Sequence, residues 1–280
     1  MKERTIRIKD GEGWQGQERK LHFIAEMHTD AGICRKINQD ACCVRIMEIG
    51  GHSLALAAVC DGVGGMQEGD FASRSTIQLL NNWFDYTVSR NLPGKNGEEI
   101  MAYLKTEIED CIQKQNRLVY GYAKEKGIRT GTTLTLLIIA DREYMTAQVG
   151  DSRAYRIGSR LRQLTEDQSV VAQEIKAGRL SAEEAKHDSR RNMILQCVGG
   201  AERLHIAYSA GRVRDDDIFF LCSDGFVHEL SDREIEERMQ PVLSEDRASI
   251  KQILMDTVSL IKARGEKDNI TVVLVKVQER

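Results

Sequence analysis

Proline is nearly missing from this chain: only Pro93 and Pro241 occur among 280 residues. No Ser- or Gly-rich linker and no internal repeat accompanies them. One continuous domain is therefore expected over residues 20–280, with the polar stretch 1–19 as a loosely attached arm. No apolar run is long enough to span a bilayer. The opening Met1-Lys2-Glu3-Arg4-Thr5 lacks the apolar stretch of a signal peptide. A cytoplasmic protein with no membrane partner is the expectation. Excess charge is missing too: 40 Lys and Arg stand against 43 Asp and Glu, a net charge of −3. No basic field invites nucleic acid. The seven cysteines form no Cys-x-x-Cys pair, and Cys60, Cys197 and Cys222 sit in apolar stretches. They read as reduced packing thiols. The six histidines (22, 28, 52, 187, 205 and 228) show neither His-x-x-x-His nor Glu-x-x-His. That disfavours zinc and leaves each histidine as a surface or packing residue. Cys111 and Arg117 have the Cys-x5-Arg spacing of cysteine-dependent phosphatases. They lie mid-helix without a glycine, where no anion-binding loop can form. No Gly-x-x-x-x-Gly-Lys loop for nucleotide phosphates occurs either.

Aspartate at strand ends is what the chain does have. Three apolar strands each run into one: Ala57–Cys60 into Asp61-Gly62, Ala147–Val149 into Gly150-Asp151, and Phe219–Cys222 into Ser223-Asp224. Singly, each reads as an ordinary turn aspartate. Asp40 and Asp268 precede further strands, Ala41–Ile46 and Ile270–Val277. In an antiparallel sheet, strand starts and strand ends share an edge, so all five carboxylates can meet at one rim. A cage of hard oxygen ligands suits Mg²⁺ or Mn²⁺. In Asp61-Gly62-Val63-Gly64-Gly65 the glycines allow a close approach of backbone to an ion, which makes the Gly62 carbonyl a further candidate ligand. A glycine-rich turn before a helix explains the same pentapeptide equally well. Arg35, between Asp30 and Asp40, carries a guanidinium fork able to hold two phosphate oxygens.

Periodicity predicts strands over Lys20–Met27, Ala41–Glu48, His52–Cys60, Thr132–Ala140, Glu143–Val149, Ala154–Ile157, Leu161–Leu164, His205–Ser209, Ile218–Cys222 and Ile270–Val277. The four between Thr132 and Leu164 read as a meander, with Gly150-Asp151-Ser152 as a hairpin turn. A first helix places Ala72, Thr76, Leu79, Leu80 and Trp83 on one face, and a second, over Glu98–Ala123, places Ile100, Leu104, Ile108, Ile112 and Leu118. Later helices fall at Ser231–Met239 and Glu245–Ala263. Strict β-α alternation is absent. The pattern predicts an α+β fold: two packed antiparallel β-sheets flanked by helix pairs, a four-layer α-β-β-α sandwich.

Taken in order, these segments resemble the metal-dependent serine/threonine protein phosphatases of type 2C, in their compact bacterial branch. The resemblance rests on Thr29-Asp30-x-Gly32-x-x-Arg35-x-x-Asn38-Gln39-Asp40, Asp61–Gly65, Gly131-Thr132-Thr133, Val149–Arg153, Leu164–Ser169, Cys222–Gly225 and Asp268–Thr271. It implies two Mn²⁺ or Mg²⁺ ions bridged by Asp61, with the Gly62 carbonyl, Asp224 and Asp268 completing the pair and Asp40 holding metal-bound water. Asp151 and Asp224 would form a third site, Arg35 would bind the substrate phosphate, and residues 165–192 would be a mobile flap. The implied activity is hydrolysis of phosphoserine and phosphothreonine in proteins by a water between the two ions, opposing a serine/threonine kinase; a monomer is expected. Val63 stands where animal-type relatives carry a histidine taken as general acid, and Gln39 replaces a more common glutamate. Two alternatives stay open: a catalytically silent phosphatase fold that binds phosphoproteins, and a hydrolase of a small phosphate ester.

Overall fold

The computed structural model describes residues 20–63, 68–92, 94–95 and 97–279. The arm expected over residues 1–19, together with residues 64–67, Pro93, Asn96 and Arg280, lies outside the described residues. The chain runs through β1 (Leu21–Asp30), β2 (Asp40–Ile49), β3 (His52–Asp61), α1 (Gly69–Asn82), a π-helical stretch (Trp83–Val88), α2 (Ser89–Asn91) and α3 (Gly97–Lys126). It continues with β4 (Leu134–Ala140), β5 (Glu143–Val149), β6 (Arg153–Ile157), β7 (Leu161–Gln163), α4 (Val170–Lys176) and α5 (Ala182–His187). It ends with β8 (Ala207–Arg212), β9 (Ile218–Cys222), α6 (Asp224–Val227), α7 (Asp232–Met239), α8 (Arg247–Ala263) and β10 (Ile270–Glu279).

The strands form two five-stranded sheets, ordered β1-β10-β9-β6-β7 and β2-β3-β4-β5-β8, with every pairing antiparallel. Side-chain alternation divides each central strand between two interfaces. In β3, Ala55, Ala57 and Val59 face the other sheet, where Phe219, Leu221 and Val273 meet them. Leu54, Leu56, Ala58 and Cys60 face outward onto Leu80, Ile100 and Leu104 of α1 and α3. In β10, Val273 and Val275 point inward, while Val272 and Leu274 pack on Ile250, Leu254 and Val258 of α8. Apolar contact on both faces explains why these strands read as unbroken hydrophobic runs. Each fully buried Val or Leu contributes about 1.5–3 kcal/mol. The expected four-layer sandwich is the one observed.

Three sequence expectations need correction. The run from Thr132 to Leu164 is not one meander. β4 and β5 form a hairpin in one sheet, whereas β6 and β7 belong to the other. Gly150-Asp151-Ser152 is therefore a crossover between sheets, and Gly150 makes it with a φ of +100° that favours glycine. Leu118 is 56% exposed, and Val119 takes the buried position instead. Six residues beyond Ile112, Leu118 lies about 240° round the helix and off its apolar face. The strand expected at His205–Ser209 runs instead over Ala207–Arg212, because its partner β5 extends to Glu143, opposite Arg212.

Register decides where the aspartates fall. Asp40 pairs directly with Asp61 across β2 and β3. Cys222, two residues before Asp224, pairs with Val272 of β10 and with Arg153 of β6. Two glycines admit the Asp268-Asn269 turn to this rim. A Cβ at Gly32, whose φ is +76°, would stand 2.2 Å from the Asp268 carbonyl oxygen, and one at Gly225 would stand 2.2 Å from that of Asn269. Gly225→Ala should therefore cost about 1–3 kcal/mol through overpacking, read as a lower urea midpoint. An unchanged midpoint would show that the turn yields without cost.

Candidate metal centre

A cleft of about 140 Å³ opens at this rim, lined by Arg35, Asp61, Val63, Asp151, Asp224 and Asp268. Asn192 and Ile194, from the segment between α5 and β8, close one side. Asp40 lies beside Asp61, 6% exposed, and accepts a 2.9 Å hydrogen bond from the Ser223 hydroxyl on Oδ2. The structure thus brings together all the aspartates expected from the sequence. The Gly62 backbone is fixed next to them: its N–H donates to the Gln39 carbonyl at 3.1 Å, and a Cβ there would meet that oxygen at 2.7 Å. Gln39 is further held by Asn269, whose Oδ1 accepts from the Gln39 N–H at 2.9 Å.

Burial and mutual repulsion push these carboxyls upward. Desolvation drives Asp40 up to about 7, against hydrogen bonds from Thr271 and Ser223, and the charges of Asp224 and Asp268 add to the rise. Asp151 goes up to about 8 through desolvation and the charges of Asp224 and Asp167. Asp61 stands well above its ordinary range, through desolvation and then the charges of Asp40, Asp224 and Asp151. Burial raises Asp224 as well, although the nearby positive charge of His228 opposes it.

Among the described residues, no three His, Cys, Asp or Glu side chains stand as a ready-made ligand cluster. Arg35 is one reason: its fork grips Asp268, with Nε–Oδ1 at 3.1 Å and Nη2–Oδ2 at 2.8 Å. The donor set nevertheless suits a cation. Asp40 Oδ1 and Asp224 Oδ1 are buried with no hydrogen-bond partner. An orphaned buried carboxylate oxygen is costly unless a proton or a cation satisfies it. Asp224 lines the cleft and Asp40 lies behind it, opposite Asp61, and all the candidate side-chain ligands are hard oxygens.

The segment expected as the flap holds α4 and α5 and returns to the core through a bridge between Ser169 and Ile194. Its base is tied to both sides of Asp151. Gln168 Oε1 accepts from the Gly150 N–H at 2.7 Å, and Arg153 grips Asp167 at 2.9 and 2.7 Å. Cys111 is buried within α3, and desolvation pushes its thiol up to about 12, so it is no nucleophile. All seven cysteines are free.

Sequence reasoning misses His228. Its Nδ1 is 3.2 Å from Glu266 Oε2, and its Nε2 is 3.5 Å from Asp224 Oδ2. Burial disfavours its charge, yet the hydrogen bond to Glu266 and the charges of Asp224 and Glu266 outweigh this and raise its pKa to about 9. The available signal is the Asp-x-x-x-His spacing of 224 and 228 at a helix start, which puts both side chains on one face.

Comparison with known proteins agrees with this architecture. The family model for protein phosphatase 2C matches residues 27–258. The serine/threonine phosphatase stp of Listeria welshimeri is 30% identical over 253 residues, covering 90% of this chain and 95% of that protein. Protein phosphatase PhpP of Streptococcus pneumoniae is 30% identical over 254 residues, covering 90% and 96%. Among solved structures, a serine/threonine phosphatase of S. agalactiae superposes with a TM-score of 0.75 at 27% identity, covering 91% of this chain and 99% of that one. The chain belongs to the protein phosphatase 2C family.

The raised carboxyls set the pH dependence of the metal-free protein. Between the ordinary aspartate value of 3.8 and their own values of about 7 and 8, Asp40 and Asp151 keep protons in the folded state that the unfolded chain has lost. Stability therefore falls as pH rises through that window. In chelator, the melting temperature should drop from about pH 6 to about pH 8.5, and added Mn²⁺ should raise it most at the higher pH, where ions need displace fewer protons. A metal-free melting temperature that is flat or rising over this range would refute the assignment.

Proposed function

We propose that this chain removes phosphate from phosphoserine and phosphothreonine in proteins, using two Mn²⁺ or Mg²⁺ ions held by Asp61, the Gly62 carbonyl, Asp224 and Asp268. Asp40 supports the pair from β2, and Asp151 with Asp224 offers a third site. The observation that carries this reading is the pair of orphaned buried oxygens, Asp224 Oδ1 in a cleft that also holds an arginine fork and Asp40 Oδ1 at the same rim, beside Asp61. Bound together, two such cations lower the pKa of a water and neutralise phosphoryl oxygens. The rest is positioning by the chain. Arg35 presents a fork whose two N–H groups already match a carboxylate, and the same spacing matches two oxygens of a phosphate. It binds the substrate phosphate and stabilises its equatorial charge as the P–O bond to the serine or threonine breaks. Val63 lines the cleft and has no proton to give, so the leaving alkoxide is not protonated from position 63. Asn192 and Ile194 limit water at the open side.

In this reading residues 20–280 are the phosphatase domain, residues 1–19 an arm, and residues 165–192 the flap against which a phosphoprotein rests. The protein acts as a cytoplasmic monomer, and a cognate serine/threonine kinase makes its substrates. Among the described residues no helix is long and apolar enough to cross a membrane. The silent-fold alternative requires lost acidic ligands, and Asp61, Asp224 and Asp268 all face the cleft.

The deciding assay is hydrolysis of phosphothreonine, phosphoserine and phosphotyrosine peptides with Mn²⁺, with Mg²⁺ and with chelator. The first two peptides should be cleaved only with metal, and full activity after exhaustive chelation would end the two-ion reading. Asp61→Ala should lower turnover by at least about a hundredfold, close to 3 kcal/mol of barrier. Retention of more than about a tenth of wild-type turnover would remove Asp61 from its role. Arg35→Ala should raise KM for a phosphopeptide and also lower kcat, because a clamp on equatorial oxygens tightens in the transition state. Unchanged constants would make Arg35 a surface residue. Asp151→Asn should empty the third site and leave the bridged pair, as read in a crystal soaked with Mn²⁺.

A further inference from the structure

Two ionisable side chains beside the cleft, one buried and one half-buried, take no part in the chemistry above. Glu266, 5% exposed, precedes Asp268 by two residues. Its Oε1 accepts backbone N–H bonds from Lys267 at 2.7 Å and from Asp268 at 2.8 Å. Its Oε2 faces His228 Nδ1 at 3.2 Å. The opposite edge of the same imidazole, Nε2, stands 3.5 Å from Asp224 Oδ2. An unbroken line thus runs from the Asp268 peptide through Glu266 and His228 to the Asp224 carboxylate. It joins the turn before β10 to the start of α6.

This line treats the two oxygens of Asp224 differently. Oδ2 faces His228, whereas Oδ1 is buried without a partner. The imidazole thus engages one carboxylate oxygen and leaves the other without a protein partner, at a residue that lines the cleft. Partners of this kind orient ligands and are worth about 10–100-fold in metal affinity or activity. We propose that His228 and Glu266 are a positioning pair that sets Asp224 and Asp268 at one fixed spacing and presents a single Asp224 oxygen to a divalent cation. The inference rests on the metal reading given under Proposed function. His228 touches neither substrate nor reacting atoms, so its role is exerted through Asp224.

The test is Mn²⁺ binding to the purified full chain, by titration calorimetry without substrate, in four variants. Glutamine ends its amide near the place of Nε2, and asparagine near the place of Nδ1. His228→Gln keeps a donor for Asp224 and should bind Mn²⁺ within about threefold of wild type. His228→Asn and His228→Ala lose that donor and should bind at least about tenfold more weakly. Glu266→Gln keeps an acceptor for the Asp268 N–H but loosens the imidazole, and should fall between them. Coupling between positions 228 and 266 in a double-mutant cycle is expected as well. Equal weakening in Gln and Asn would reveal packing alone and overturn the proposal. So would unchanged binding in His228→Asn with its fold intact by circular dichroism. Should His228→Ala fail to fold, the contrast between Gln and Asn decides. Wild type and Asp61→Ala separate the two levels of inference. No Mn²⁺ binding by wild type overturns the metal reading itself, whereas wild-type binding lost in Asp61→Ala but kept in His228→Asn overturns only the positioning pair.

Discussion

Asp40 and Asp61 face each other across β2 and β3 at the rim where both sheets end, and Asp151, Asp224 and Asp268 crowd the same place. Like charges brought together out of water repel strongly, because little solvent remains to screen them. The folded chain meets this repulsion in three ways visible in the structure. Burial and mutual repulsion raise the pKa values of Asp40, Asp61, Asp151 and Asp224 and so favour their neutral forms. Arg35 covers Asp268. His228 stands against Asp224. Cations would do the same work with charge to spare, which is why a site so costly for protein alone suits them.

The scaffold makes the crowding unavoidable. β3 and β10 are buried on both faces, so a one-residue slip would turn an apolar face toward the wrong layer. Register is thereby fixed by hydrophobic packing along the whole strand, and the terminal aspartates have no freedom to separate. Close backbone contacts at Gly32 and Gly225 then press the Asp268 turn against the rim. The crowding of carboxylates at this rim is a by-product of core packing several residues away.

Much of this is legible in the sequence because it is local and repeated. An apolar strand that ends in Asp announces both its element and its acid, and several such strands specify a shared rim once antiparallel pairing is assumed. The layered α+β class follows from the same strands and from the apolar faces of α1, α3 and α8. What stays hidden is long-range pairing. No local signal distinguishes a hairpin at Gly150-Asp151-Ser152 from a crossover, because the difference lies in whether β6 bonds to β5 or to β9. Leu118 fails for a smaller reason, a helical face one position out of phase. The placement of His228 escapes a search built on histidine pairs, since its partners are Glu266, 38 residues on, and Asp224.

The crossover at Gly150-Asp151-Ser152 carries a further implication for how this protein comes into being. Asp61 ends β3 of one sheet, Asp224 follows β9 and Asp268 precedes β10 of the other, and Asp151 lies in the link between them. Neither half of the sandwich alone contains a complete set of acids. A chain emerging during synthesis, or one torn open between its layers, holds only fragments of the centre. If these acids hold the proposed cations, a complete set exists only once the two sheets have docked. For an enzyme that erases signals, silence before assembly is a safeguard written into topology.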